Sequence, residues 1–239
     1  MEAALSFLYK YEALHGASAS QPERAILQAR RLAGKEQAMS EHYYTPSPAS
    51  AHDERRLTVR ALGVEMSFVT DSGVFSRDGL DAGTRVLLEA LPPLSGRVLD
   101  LGCGWGAMGG VLAKVYPDAR FVLSDVNARA VELAARNLRA NGLRNAQAVC
   151  GDGFAAVEGR FDWILTNPPI RAGKQVIYGL FAQARDFLAP GGTLALVIRT
   201  QQGAKSAERF LRGLYASVKT LDISGGYRVL AADGGTGAP

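Results

Sequence analysis

The sequence predicts an α/β fold: a seven-stranded, mostly parallel sheet with helices on both faces and one antiparallel edge strand. After residue 80, short apolar segments alternate with amphipathic segments of helical period, which is typical of parallel strands joined by right-handed crossovers. A glycine-rich turn follows the first of these strands. The last two strand-like segments lie only a few residues apart and cannot enclose a helix, so they should pair antiparallel at one edge.

The predicted elements follow one another with short connections. Seven strands are predicted at residues 97–101, 120–124, 146–150, 161–166, 193–199, 217–223 and 226–231. Five helices are predicted at residues 82–91, 108–115, 128–141, 175–187 and 204–214.

The sequence on either side of these elements has a different character. Residues 1–38 are predicted to be an N-terminal helical extension of unknown role, and residues 39–80 an extended and hairpin segment that leads into the α/β domain at residues 81–232. Residues 233–239 are predicted to be a loose tail. Because the texture of the sequence changes at Met39, this residue is a candidate for the native start.

Composition limits the class of protein. With 239 residues and 47% hydrophobic content, the chain can bury a large core, but its longest apolar stretches are too short to span a bilayer. The N-terminus lacks the pattern of a signal peptide. Cys103 and Cys150 should lie two strand spacings apart, beyond disulfide reach, so a cytoplasmic protein with reduced thiols is expected. The cysteines and histidines lack the spacing of metal ligands, and neither a membrane nor a metal is an expected partner.

The glycine-rich turn is a candidate cofactor site. The run Gly104-Trp-Gly-Ala-Met-Gly109 matches the pattern G-x-G-x-x-G, in which glycines allow a sharp bend and the close approach of a ligand. A dinucleotide pyrophosphate and the carboxylate of a methionine group both suit such a turn. Asp100 favours the second, because an acid at this strand end repels a pyrophosphate and attracts an ammonium group. The predicted cofactor contacts of the turn are Gly102, Gly104 and Gly106.

Residues after the next two strands extend this candidate site. Asp125 lies 19 residues after Gly106, the approximate spacing at which an acid binds ribose hydroxyls. Asp152 could accept a hydrogen bond from an adenine amine, and Phe154 could cover the adenine ring. A turn residue before a glycine is an equally good explanation of Asp152 alone.

The segment Asn167-Pro168-Pro169 ends the strand predicted at residues 161–166. Neither proline has an N–H group to continue a ladder, so the Asn167 side chain and the Pro168 carbonyl remain at the carboxyl edge of the sheet. Both groups accept hydrogen bonds and together could hold one planar NH2 group. A strand that merely stops at two prolines has the same sequence, and the order of the other motifs favours the binding site.

Basic residues are concentrated after this segment. Between residues 170 and 219 the chain has eight basic and two acidic residues, a local net charge of +6 within a total of +4. This distribution favours a polyanion such as RNA, bound through its phosphates. Solvated helix faces would have a similar composition, so charge alone does not identify RNA.

These motifs, in this order and spacing, resemble a class I S-adenosylmethionine-dependent methyltransferase. The resemblance is carried by Val98–Gly106, Asp125, Gly151-Asp152 and Asn167–Pro169. The segment Thr-Asp-Ser-Gly-Val-Phe-Ser-Arg-Asp-Gly-Leu-Asp-Ala-Gly-Thr at 70–84 is also similar to one in small-subunit ribosomal RNA guanine-N2 methyltransferases. The resemblance covers residues 40–232. It implies a Rossmann-like methyltransferase fold, S-adenosyl-L-methionine as cofactor, and small-subunit (16S) ribosomal RNA or the small ribosomal subunit as partner.

The resemblance also implies residue roles and shows two departures. Asn167, Pro168 and Pro169 would hold the guanine amine for methyl transfer, and Asn167 would also contact the cofactor. Many members of this family have Phe or Tyr directly after Asn-Pro-Pro to stack on a flipped base, whereas this chain has Ile170, so Phe75 and Tyr178 are candidates for stacking. Some members carry a degenerate duplicate domain that helps to hold RNA, for which this chain has no room. The implied substrate contacts are Phe75, Ser76, Ile170, Arg171 and Lys174, with residues 1–60 as a further surface.

Two other activities fit parts of the sequence. A protein glutamine amide presents the same two hydrogens to Asn-Pro-Pro, so an N-methyltransferase acting on that amide is the second candidate. Residues 70–84 and the positive charge favour RNA over it. A nicotinamide-dependent oxidoreductase or a non-catalytic nucleotide-binding module could use the same glycine turn.

Overall fold

A computed structural model describes residues 50–235 of the chain. The expectations for residues 1–38, for Met39 as a start and for the end of the tail lie outside the described residues. Within the described part the strands are β1 (Arg55–Ala61), β2 (Val64–Thr70), β3 (Arg97–Leu101), β4 (Arg120–Asp125), β5 (Ala146–Cys150), β6 (Phe161–Thr166), β7 (Leu188–Arg199), β8 (Ser217–Ser224) and β9 (Tyr227–Asp233).

The helices connect these strands where the amphipathic segments predicted them. In the described residues they are α1 (Ala82–Ala90), α2 (Ala107–Val115), α3 (Ala128–Ala140), α4 (Lys174–Phe187) and α5 (Ala204–Arg212), with short 3₁₀ turns at Ile170–Ala172 and Thr200–Gln202. Side chains cap two of the helices: Asp81 accepts a hydrogen bond from the Thr84 N–H at 2.9 Å, and Asn127 accepts one from the Ala130 N–H at 3.3 Å.

The central sheet has seven strands in the order β5-β4-β3-β6-β7-β9-β8. Strands β3 to β7 are parallel to one another, whereas β9 pairs antiparallel with both β7 and β8. The predicted mostly parallel sheet with an antiparallel pair at one edge is therefore confirmed, and β9, the antiparallel strand, lies one place in from that edge. Strand β7 begins at Leu188, five residues earlier than predicted, because Leu188 pairs with Phe161 across a register shift.

Two apolar clusters cover the two faces of the sheet. On one face α1, α2 and α3 pack against strand residues such as Val98 and Leu123, and on the other α4 and α5 pack against residues such as Leu99 and Ile164. Adjacent residues of β3 point into different clusters, since side chains alternate along a strand. Apolar burial on both faces explains why these strands read as continuous hydrophobic runs.

A separate two-stranded hairpin, β1 with β2, packs on the helices of the first face. Asn137 of α3 connects it to the domain: the Asn137 side chain accepts from the Val69 N–H and donates to the Val69 carbonyl, both at 2.8 Å. The same amide group donates to the carbonyl of Trp105 at 2.9 Å. Because Asn137 is buried, these bonds satisfy polar groups that water cannot reach. Asn137 thus connects the hairpin to the glycine turn. The domain boundaries predicted from the sequence stay a prediction.

The order of the strands reverses between β3 and β6. From β3 the chain moves outward through β4 to β5, and after β6 it moves the other way to β7. In the register of this pair, Asp100 of β3 lies opposite Leu165 of β6. The loops that follow β3 and β6 therefore leave the same edge of the sheet side by side, where open α/β sheets form a ligand crevice.

Gly109 lets α2 approach the sheet closely, and we predict that Gly109→Ala destabilises the fold. A Cβ atom at this position would lie 2.6 Å from Leu123 Cγ in the buried core. Such overpacking should lower the free energy of unfolding in urea by about 1–3 kcal/mol.

Leu123→Ala provides the matched test of this cause. If overlap with Leu123 is responsible, the double variant should lose less stability than the two single variants together, because the new methyl group fills part of the cavity. Additive losses would contradict the close-contact explanation.

Candidate active site

A cleft opens at the carboxyl edge of β3 and β6. It is bounded by the start of α1, the glycine turn, and the residue that follows β6. Six of the residues predicted from sequence line it together: Phe75, Ser76, Asp100, Gly102, Gly104 and Asn167. Residues from three distant parts of the chain therefore meet in one concave site.

Asp100 is the fully buried acid of this cleft. Its Oδ2 accepts a hydrogen bond from the Gly109 N–H at 2.8 Å, whereas its Oδ1 is buried without a hydrogen-bond partner among the described residues. Burial raises the pKa of this carboxyl from 3.8 to about 7, and the nearby Asp125 charge contributes to the rise. A buried, unsatisfied acceptor in a cleft is a site for a cationic or hydrogen-bond-donating ligand group.

The glycine turn adopts the backbone geometry that its sequence predicts. Gly102, Gly104 and Gly106 have φ angles of 77°, 54° and 85°, a region that side chains disfavour. Around Gly102 and Gly104 there is open space where a Cβ would stand, whereas a Cβ at Gly106 would lie 3.0 Å from Ala134. The first two glycines thus leave room for a ligand, and Gly106 permits close packing at the start of α2.

Asp125 is held beside this turn at the end of β4. Its Oδ2 accepts from the Gly104 N–H at 2.8 Å, and its Oδ1 accepts from the Asn127 N–H at 2.9 Å. Partial burial raises the pKa of Asp125. Each carboxylate oxygen has two lone pairs, so the bonds to the backbone leave capacity to accept from hydroxyl groups. Its predicted ribose contact stays a prediction.

Asn167 is tied to the start of α1. Its Nδ2 donates to Asp81 Oδ2 at 2.7 Å and to Thr84 Oγ1 at 3.0 Å. Because a carboxylate can only accept, the contact with Asp81 fixes which end of the Asn167 amide is the NH2 group. The Oδ1 atom of Asn167 is therefore the end available to accept a hydrogen bond in the cleft.

The segment between β2 and α1 closes one side of the cleft. The Trp105 indole N–H donates to the carbonyls of Phe75 and Ser76, at 3.1 and 3.2 Å, and the Asn127 amide donates to the Gly73 carbonyl at 2.9 Å. The Ser76 hydroxyl donates to the Gly79 carbonyl at 2.6 Å, which shapes the turn. The Phe75 side chain stays 52% exposed at the mouth of the cleft.

The residues after Asn167 line one side of a second, smaller pocket, and the end of β7 and the start of α5 line the other. Pro168 is buried, and the 3₁₀ turn follows Pro169. Ile170 and Lys174 line the pocket, and the backbone of Arg171 lies in the turn. Tyr178, the other candidate for stacking, already stacks on Phe210 with ring centroids 4.3 Å apart. Phe75 has the more accessible ring of the two.

Two residues predicted for adenine binding do not line this cleft. Asp152 is exposed in the turn after β5. Phe154 is 4% exposed and stacks on Phe187, with ring centroids 4.5 Å apart, within the apolar cluster under α4 and α5. The structure thus gives Phe154 a packing contact in the core, and contact of either residue with a cofactor stays a prediction.

Among the lining residues that the sequence did not assign, Asp81, Thr84 and Trp105 make hydrogen bonds that shape the cleft, and Asn127 holds the segment that closes one side of it. The pattern Asp-x-x-Thr before a helix indicates a cap, but not that the same acid also contacts a residue 86 positions later.

Residues 50–235 contain no helix that could span a membrane. The same residues contain no group of three or more His, Cys, Asp or Glu side chains suited to a metal ion.

Comparisons with known proteins relate the cleft to a family. The sequence profile of the methyltransferase small domain family, MTS, matches residues 65–231. YbxB of Bacillus subtilis strain 168, an uncharacterized protein, is 38% identical over 198 residues, which cover 81% of this chain and 98% of YbxB. Ribosomal RNA small subunit methyltransferase C of Salmonella choleraesuis is 43% identical over 137 residues, which are 55% of this chain and 40% of that protein.

A solved structure resembles this one over most of its length. The 16S rRNA N2 G1207 methyltransferase of T. thermophilus, solved with AdoMet and guanosine, has a TM-score of 0.68 and 33% identity over 78% of this chain. The match spans 52% of that enzyme, and the Salmonella match spans 40% of its protein, so this chain spans about half the length of these two relatives. The buried acid, the glycine turn, the sheet order and these matches together show that the chain belongs to the methyltransferase small domain family and is a class I S-adenosylmethionine-dependent methyltransferase.

Proposed function

We propose that this protein transfers the methyl group of S-adenosylmethionine to N2 of a guanine in small-subunit ribosomal RNA. The observation that carries the proposal is the orientation of Asn167, whose Oδ1 is left free as an acceptor in the cleft that contains Asp100 and the glycine turn. The T. thermophilus relative, described as acting on N2 of G1207 and solved with guanosine, supports the same substrate class. A ribosomal RNA substrate implies a cytoplasmic location.

The cleft fits the amino-acid end of S-adenosylmethionine. The unpaired Asp100 Oδ1 can accept from an α-ammonium group, and the open backbone at Gly102 and Gly104 admits close contact. A nicotinamide dinucleotide would bring a pyrophosphate to the same turn, where Asp100 would repel it. When bound, S-adenosylmethionine supplies an electrophilic methyl group.

The chain contributes mainly orientation to the reaction. The lone pair of a guanine N2 is delocalised into the ring and is a weak nucleophile. Asn167 Oδ1 and the Pro168 carbonyl would accept its two hydrogens, favour a pyramidal nitrogen and stabilise the positive charge that develops on it. Pro168 and Pro169 keep this segment extended beyond β6, since neither can join a ladder.

Two groups of residues beside the cleft are suited to contact the RNA, one its bases and the other its phosphates. The exposed Phe75 ring can stack on a base that has left its helix, which compensates for the aliphatic Ile170. Lys174, Arg199 and Lys205 are exposed where α4 begins, β7 ends and α5 begins, which is the carboxyl edge that carries Asn167. Cations at this edge suit the phosphates on either side of a target nucleotide.

Labelled S-adenosylmethionine and ribosomal RNA test the proposal directly. The protein is incubated with both, the RNA is digested to nucleosides, and labelled N2-methylguanosine is the expected product. Label in protein glutamine instead would support the amide alternative, and label in a different nucleoside would reject guanine N2.

We predict that Asp100→Asn weakens cofactor binding and stabilises the cofactor-free protein. The folded-state pKa of about 7 lies above the ordinary 3.8, so the folded protein binds more protons between these values and loses stability as pH rises toward 7. Removing the charge abolishes this loss at pH 8 but also removes the partner of the ammonium group.

Calorimetry and urea unfolding at pH 8 measure the two effects of Asp100→Asn. The dissociation constant for S-adenosylmethionine should rise by about tenfold or more, while the urea midpoint rises. For the wild type, affinity should fall below pH 7, because protonated Asp100 cannot pair with an ammonium group. Affinity that is independent of pH and of this substitution would contradict the role of Asp100.

Asn167→Ala should strongly lower the rate of methyl transfer without loss of folding. Loss of an acceptor for the developing charge typically lowers kcat by about 100-fold or more. The urea midpoint and the S-adenosylmethionine dissociation constant should stay close to those of the wild type. Wild-type kcat in this variant would contradict catalysis by Asn167.

Replacing Lys174 and Lys205 together by Gln should weaken RNA binding. With two fewer phosphate contacts, the salt dependence of binding should become shallower by about 1.4 in the log-log slope, the value for single-stranded nucleic acid. Fluorescence anisotropy of labelled RNA at several salt concentrations measures both effects.

The matched control for this pair removes two exposed cations at the opposite edge of the sheet, Lys114 and Arg120, which lie near the end of α2 and at the start of β4. An equal effect of both double substitutions would show that net charge alone is responsible.

A further inference from the structure

The start of α1 holds the catalytic candidate Asn167 through a charged contact. Asp81 Oδ2 accepts from Asn167 Nδ2 at 2.7 Å and from the Thr84 backbone N–H at 2.9 Å. Thr84 Oγ1 accepts from the same Asn167 nitrogen at 3.0 Å. Both hydrogens of one amide thus have acceptors on one helix terminus, 86 and 83 positions away in the sequence.

We propose that Asp81 and Thr84 are positioning residues for methyl transfer, acting on the substrate amine through Asn167. This inference rests on the proposed function. Asp81 and Thr84 fix the rotation of the Asn167 side chain, and the Asp81 charge makes Asn167 Oδ1 a stronger acceptor.

The groups that hold the Asn167 amide are themselves rigid. Thr84 is buried, and the Asp81 side chain is held in place because it caps α1. Asn167 itself follows the end of β6 and precedes two prolines, so its backbone has no ladder to fix it. Without the two acceptors, the amide could rotate and present its NH2 group to the substrate amine, where two donors would face each other.

The Asp81 charge polarises the Asn167 amide. A hydrogen bond to an ionised acceptor is roughly twice as strong as one between neutral groups. A carboxylate next to an amide NH2 group shifts electron density toward the amide oxygen, because hydrogen bonds in a chain strengthen one another. The added density lies on Oδ1, which faces the nitrogen that becomes positive as the methyl group arrives.

Asp81 also lines the cleft, so a direct contact with the cofactor is the competing role. The two roles make different predictions for binding and turnover. A residue that acts through Asn167 changes kcat and leaves the S-adenosylmethionine dissociation constant unchanged, whereas a cofactor ligand changes the dissociation constant.

Asp81→Asn removes the charge and keeps the cap, since Asn caps helices as well as Asp does. We expect kcat to fall by about tenfold with a dissociation constant within about twofold of the wild type. Thr84→Val should also lower kcat, and Thr84→Ser, which keeps the hydroxyl, should restore it. A kcat for Asp81→Asn within about threefold of the wild type, or a dissociation constant that rises as kcat falls, would overturn the inference.

Exchanging the two side chains tests the contact itself. Asn167→Asp places two carboxylates side by side and should lower kcat strongly. Adding Asp81→Asn restores a donor–acceptor pair of reversed polarity, so the double variant should regain about tenfold over Asn167→Asp alone. A double variant no more active than Asn167→Asp would show that the two residues do not act as a pair.

Side-chain amide exchange, measured by NMR on the full chain, decides the inference without activity. The Asn167 NH2 signals, identified by their loss in Asn167→Ala, should exchange slowly in the wild type. They should exchange faster in Asp81→Ser, which keeps the cap but cannot reach Asn167. Unchanged exchange would overturn the inference. If the wild type forms no N2-methylguanosine, the proposed function fails and these signals alone decide the role of Asp81.

Discussion

The pairing of β3 with β6 is the constraint on which the site depends. These strands are neighbours although about sixty residues separate them, and Asp100 lies opposite Leu165 in their register. A slip of one residue would turn every side chain of one strand to the other face of the sheet. The two apolar clusters prevent such a slip, because each takes alternate residues of both strands. The glycine turn and Asn167 share a cleft as a consequence of core packing.

The cofactor site contains a buried carboxyl group that destabilises the cofactor-free protein. Asp100 is fully buried, with one oxygen unsatisfied and a pKa raised to about 7, which is unfavourable for the cofactor-free fold. A cationic ligand group that pairs with the carboxylate removes the cost, so binding and stability are coupled. The same site ties Asn167 to Asp81 through a charged hydrogen bond. Preorganised charges of this kind are typical of active sites.

The features that the sequence predicted lie in contiguous motifs. The glycine turn and Asn167-Pro168-Pro169 are local patterns, and the alternation of strands and helices predicted the sheet that brings them together. The sequence did not identify the contact of Asn167 with Asp81, since that contact depends on how α1 packs across 86 residues. It also did not reveal the buried position of Phe154, which depends on packing against Phe187 of α4. The sequence also did not predict the early start of β7, because Pro190-Gly191-Gly192 is typical of a turn. In the structure Leu188, which precedes that segment, already pairs with Phe161.

The central claim is that one cleft binds the cofactor and orients the amine that it methylates. A crystal structure of the protein with S-adenosylhomocysteine and guanosine tests it most directly. We expect the ammonium group of the cofactor within hydrogen-bond distance of Asp100 Oδ1. Guanine N2 should lie within hydrogen-bond distance of Asn167 Oδ1 and should face the sulfur atom of the cofactor. Guanosine bound elsewhere, or a cofactor whose amino-acid end points away from Asp100, would contradict it.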